Sequence, residues 1–281
     1  MALARVAATV GGINALNAWA YVWWGGQALG SAVRRESSVA ERGLEAGLEQ
    51  IGVHLEPLDV TAGGSSLLAL TRMVSCALTV GLTLHLYFTN NFPLVKSNFG
   101  HTVEIKRWRR FTTFTCWCWL LMTAYFTSVV YHTQVRGAKQ STWLPALFEV
   151  CFATALLVTL VVHFVLVPVA KRKDRYRYAR LMNWRALVLH YANVTMMFTE
   201  LALSGIRIEA NHWLFPLFFS NVYVIFALFW GHNTGLFYYF FMDYTKFWWA
   251  PVAYAGLFVA FAAVWALSVL LSAGVARLHH H

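Results

Sequence analysis

The stretch PALFEVCFATALLVTLVVHFVLVPVA, Pro145 to Ala170, decides the fold. One carboxylate, Glu149, and one imidazole, His163, interrupt an otherwise uncharged apolar run. A helix rises 1.5 Å per residue, so roughly 20 apolar residues cross the ~30 Å hydrocarbon layer of a bilayer. This stretch is long enough to do so. Working outward, similar runs extend over about Ser66–Phe88, Phe111–Tyr131, Ala186–Gly205, Trp213–Phe237 and Trp249–Ser272. A further run, Val6 to Val33, is uncharged but diluted by Gly and Asn. The expected fold is all-α: a polytopic transmembrane helix bundle of six or seven spans. Residues 63–281 form the bundle domain. Residues 1–62 carry one extra N-terminal helix and a surface segment.

Composition agrees. Only 12% of the 281 residues are charged and 59% are apolar, against about a quarter charged in soluble domains. Disordered, collagen-like, disulfide-rich secreted and ordinary soluble enzyme classes are excluded. The four cysteines, Cys76, Cys116, Cys118 and Cys151, all lie in apolar runs and are expected as free, buried thiols. The one long polar stretch, Arg34 to Ala62, contains SSVAERGLEAGLEQIGVHLE. Its Val39, Leu44, Leu48 and Ile51 recur at roughly helical spacing, as in a helix lying on a membrane or a partner.

The formal net charge is +10. In a seven-span chain, 14 Lys and Arg residues fall on one face, including KRWRR (Lys106–Arg110) and the run Lys171–Arg185, and 7 fall on the other. The positive-inside rule places the first, basic face in the cytosol, or in the matrix of a mitochondrial inner membrane. An endomembrane and the mitochondrial inner membrane both fit. The basic residues occupy short loops between spans, so membrane lipids, not nucleic acid, are the expected partners.

Ionisable residues inside a bilayer are rare and mark sites. They are Arg72, His85, Glu149, His163, His190, Glu200 and His232, with Asn193 and Asn221 beside them. Arg72 pairs most simply with Glu149 or reaches to the interface. Counting along the helices from the basic face sets Thr113, His163, His190 and His232 at one depth, with Asn193 a turn from His190. A hydroxyl and imidazoles in one layer are the components of an activated nucleophile. Each also has a plainer reading. A membrane Thr bonds its own helix, an intramembrane His joins two helices, and Glu200 is a neutral structural carboxyl.

Two segments then acquire a resemblance. His190-Tyr-Ala-Asn-Val-Thr-Met-Met-Phe-Thr-Glu200 and Trp230-Gly-His232-Asn-Thr234-Gly235-Leu-Phe-Tyr238, with the helix entry Arg110-Phe111-Thr112-Thr113-Phe114, resemble the androgen-induced-gene family of multi-pass membrane hydrolases. The resemblance covers roughly Ser66 to Ser272. It implies a six-helix core and cleavage of fatty-acid esters of hydroxy fatty acids. Thr113 would be the nucleophile and His190 the base. Asn193, Thr112 or His232 would supply oxyanion donors, Glu200 and His163 would stand by in support, and no cofactor or metal would be needed. The chain departs from the family in its first span, in its acidic loop, and at His163, where an aromatic is expected. Thr71, after Gly63-Gly64-Ser65, is a rival nucleophile. Two other readings stay open. In one the chain is a non-catalytic accessory subunit of a large, respiratory-type membrane complex. In the other His163, His190 and His232 ligate a haem or metal.

Overall fold

The computed structural model describes residues 58–59, 66–89, 94–135, 140–141 and 143–279. The expected first span and the amphipathic segment lie outside the described residues, apart from the short strand β1 (Leu58–Asp59). The fold is an all-α bundle, and among the described residues six helices are long and apolar enough to cross a membrane. These are α1 (Ser66–Phe88), α2 (Phe114–Thr133), α3 (Trp143–Lys173), α5 (Trp184–Ser204), α6 (Ala210–Thr234) and α7 (Ala250–Leu278). A short helix α4 (Arg175–Leu181) links α3 to α5.

Several helix ends have a local reason. Asp174 caps α4, its side chain accepting from Arg177 N at 2.9 Å. Asn183 caps α5 by accepting from Arg185 N at 3.1 Å. Left-handed glycines, Gly205 (φ +65°) and Gly235 (φ +66°), stop α5 and α6, because a Cβ there is strained. Three helices contain wide, π-type turns: Tyr131–Val135, Val162–Leu166 and Val188–Ala192. Pro168 accounts for the second. It lacks an N–H and its ring crowds the carbonyl four residues earlier, so α3 widens just before it.

Small pairings tie the loops. On the basic face β2 (Leu94–Lys96) and β3 (Thr102–Glu104) form an antiparallel hairpin, with Val95 opposite Val103. On the opposite face β1 pairs with β4 (Gln140–Ser141). The hairpin clasps the end of α6 and the loop after it. Ser97 donates to Thr234 O at 2.6 Å, and Asn98 Nδ2 donates to Asp243 at 2.9 Å.

The central helix is α3, packed against α2, α5, α6 and α7. Its first half is buried on all sides, from Leu144 to Val158 with Leu147 the lone half-buried position. That explains why its sequence is apolar all round and shows no amphipathic stripe. Peripheral α1 instead buries one stripe (Leu68, Arg72, Ser75, Thr79, Leu82, Leu86) and turns Leu67, Leu70, Val74 and Leu78 outward. The interior is knit by Trp119, Tyr125, Phe126, Phe148 and Phe152. All four cysteines are free thiols; Cys76 is half-buried and the other three are buried.

Candidate functional site

A six-residue 3₁₀ segment, Arg107–Thr112, carries the chain into α2. Thr113 then adopts an extended conformation (φ −92°, ψ 149°) and caps the helix, its Oγ accepting from Cys116 N at 3.4 Å. This use of the hydroxyl is as an acceptor, so the hydroxyl proton is left for another partner. Thr113 is half-buried. The neighbouring Thr112 is committed. Its hydroxyl lies 2.7 Å from Arg109 O and 2.6 Å from the Tyr238 hydroxyl. A threonine has one proton, so Thr112 offers it to these two acceptors, and the Tyr238 phenol keeps its own. Burial pushes the Tyr238 phenol above its ordinary pKa, which keeps that proton in place. Tyr223 also donates to Thr112 O at 3.2 Å.

His190 sits in the wide turn of α5, 8% exposed, against which α2 packs. A wide turn withdraws backbone groups from regular helical bonding. Thr159 of α3 meets the exposed carbonyl, donating to His190 O at 2.6 Å. The same hydroxyl lies 3.3 Å from Asn193 Oδ1, which also accepts from Val194 N. The Nδ1 of His190 is buried with no hydrogen bond.

The structure thus brings His190, Asn193 and Thr159 together and packs their turn against the helix that Thr113 opens. The other expected members of the layer point elsewhere. His163 is exposed, with Nδ1 3.3 Å from the Tyr191 hydroxyl. His232 is exposed, with Nδ1 3.2 Å from the Tyr244 hydroxyl. Among the described residues no group of three His, Cys, Asp or Glu side chains is placed to hold a metal ion. Thr112 is held by the tyrosines.

Glu200 shares a buried face with Asn193, as its spacing of seven implies, but it is the partner of Arg72. Arg72 Nε and Nη2 lie 2.9 and 2.7 Å from Glu200 Oε1, and Tyr125 donates to the same oxygen at 2.9 Å. The expected pairing of Arg72 with Glu149 is therefore corrected. The principal neighbours of α1 are α2 and α5, not α3. Glu149 takes His212 instead, at 2.8 Å, and accepts from Glu209 N at 3.0 Å.

A cavity of about 100 Å³ opens on the other side of α2 and α3, against α6, α7 and the loop between them. Phe114, Leu157, Val161, Tyr223, Phe241 and Phe258 are among its mostly apolar walls. It begins one residue beyond Thr113.

No family model, curated protein or solved structure matches the chain.

Proposed function

We propose that this chain is an intramembrane hydrolase of lipid esters, akin to the androgen-induced-gene family, with Thr113 as nucleophile and His190 as base. The observation that carries the reading is an incompletely engaged imidazole packed against the helix that Thr113 opens. His190 Nδ1 is buried without a partner, and the helix it packs against opens at Thr113, whose hydroxyl bonds Cys116. An alcohol becomes nucleophilic when an imidazole removes its proton. The Thr113 oxygen would then attack the ester carbonyl. Collapse of the tetrahedral intermediate expels the alcohol, which takes the proton from His190, and leaves an acyl-Thr113 ester. Water, deprotonated by His190, releases the acid. The first N–H groups of α2 lack intrahelical acceptors, and their helix dipole favours negative charge beside Thr113. Thr159 and Asn193 position the turn that carries the base. The apolar cavity next to Phe114 suits an acyl chain. Thr112, Glu200 and His163 act outside the chemistry in this reading, and His232 is too exposed to hold an oxyanion.

Purified protein labelled with a fluorophosphonate probe tests this. Labelling is expected, together with cleavage of a fatty-acid ester of a hydroxy fatty acid. Both should vanish in Thr113→Ala and in His190→Ala. Labelling that survives both substitutions overturns the assignment. Co-migration of the chain with a large complex on native gels would then support the subunit role.

A further inference from the structure

The basic face of α1, α2 and α5 carries a second cluster that the proposed chemistry does not use. Its centre is the last turn of α1. Leu86 O, a helix-end carbonyl without an intrahelical partner, accepts from Arg110 Nη1 at 2.8 Å. One residue earlier, the His85 ring lies 5.4 Å from the Trp184 ring, centroid to centroid. The Arg185 guanidinium in turn lies over Trp184, 5.5 Å from its centroid. One helix end therefore gathers two guanidinium groups from different segments. Arg185 Nε is buried and makes no hydrogen bond. Among the described residues no carboxylate forms an ion pair with Arg185.

Two guanidiniums held together repel. Arg110 registers this, since its pKa is lowered first by burial and then by the charge of Arg185. An oxyanion between them would convert that repulsion to attraction and offer acceptors matched to the guanidinium fork. The surroundings say where such an anion comes from. Trp184 is 55% exposed, as tryptophans are at the headgroup level of a bilayer. Leu84 and Leu187, on the same two helices, are exposed apolar side chains. Residues 171–185 hold seven basic residues and one acid, Asp174, a density that draws anionic lipid.

We propose that Arg110 and Arg185 bind the anionic headgroup of a membrane lipid, a phosphate or a carboxylate, with Trp184 at the headgroup level. The site goes beyond the hydrolase reading and holds its lipid whether or not Thr113 turns over.

The experiment is native mass spectrometry of the full chain in detergent, titrated with phosphatidic acid, oleic acid or phosphatidylcholine. One anionic lipid should be retained in preference to phosphatidylcholine; phosphatidic acid identifies a phosphate site, oleic acid a carboxylate site. Arg185→Gln and Arg185→Lys should each weaken retention about tenfold, because lysine keeps the charge and loses the fork. Arg180→Gln, an exposed charge nearby, should change it by less than about threefold. Thr113→Ala should retain lipid as the unmodified chain does, which separates failure of the site from failure of the hydrolase. Arg185→Gln is the main variant, because Arg110 also caps α1. Full retention in Arg185→Lys, or equal losses in Arg180→Gln and Arg185→Gln, would overturn the proposal and leave surface attraction alone. Displacement by inorganic phosphate, with no preference for an anionic lipid, would overturn the lipid source.

Discussion

Two polar regions of this bundle lie at opposite depths and are bonded differently. Toward the face opposite the basic loops, Arg72, Glu200 and Tyr125 close on one oxygen, and Glu149 closes on His212 and Glu209 N. Acid meets base there, in a layer sealed by aromatic rings. Toward the basic face, His190 Nδ1 has no partner and Arg185 Nε has none. The deep layer has one bare atom on each side, Glu200 Oε2 and His212 Nε2, but every side chain in it has an opposite charge or a hydroxyl in reach. The comparison separates two uses of intramembrane polarity. Groups that have spent their bonds on each other hold helices together. Groups left with an open bond are available to a ligand.

The contrast can be broken most directly at Arg72. Arg72→Ala would leave Glu200 charged and buried, at a cost of about 3–5 kcal/mol. Unfolding in detergent micelles should show the loss, and the same substitution at Arg185 should cost less than about 1 kcal/mol. Equal losses would erase the distinction. His190→Ala should do the reverse, removing at least about a hundredfold in ester turnover while moving the unfolding midpoint little. A tighter contact is tested by Gly235→Ala. The left-handed φ of +66° costs an L-residue about 1–2 kcal/mol, and the new methyl meets Ser97 Oγ. The hairpin should loosen from α6, seen as faster amide exchange at Asn98. The smallest effect is expected for Thr159→Val, which removes the bond to His190 O. Stability should fall by about 1 kcal/mol, and turnover should fall more than stability does if that bond positions the base.

The spans were legible because apolar length is the whole signal for a membrane helix. The second expected span coincides with α1, Ser66–Phe88, and the third to seventh agree to within several residues at either end, while the first lies outside the described residues. The ends were less legible. Gly235 stops α6 at Thr234, three residues short of the expected Phe237, a matter of backbone handedness that a hydropathy scan does not see. Depth, too, could be counted along each helix, and by depth alone Arg72 suits Glu149 as well as Glu200. Rotation and neighbourhood decide between them, and neither is written in a single helix. His212 was passed over because it belongs to the 3₁₀ lead-in Ala210–Trp213, which reads as loop. Thr159 looked like any threonine in an apolar run. The signal that could have found it is the wide turn facing it, whose unspent carbonyl needs a donor. Depth likewise grouped His163 and His232 with His190, while the structure turns both outward.

The wide turn at Val188–Ala192 also works as a screw thread for everything beyond it. It holds one residue more than a regular turn would. Deleting that residue would rotate the remainder of α5 by about 100°, swinging Glu200 out of the reach of Arg72 and Asn193 off Thr159. One insertion therefore sets the angular phase of both ends of the helix. The half-bonded imidazole near one membrane surface and the closed ion pair near the other share a single mechanical setting, and neither can be retuned by shortening the turn without unseating its counterpart.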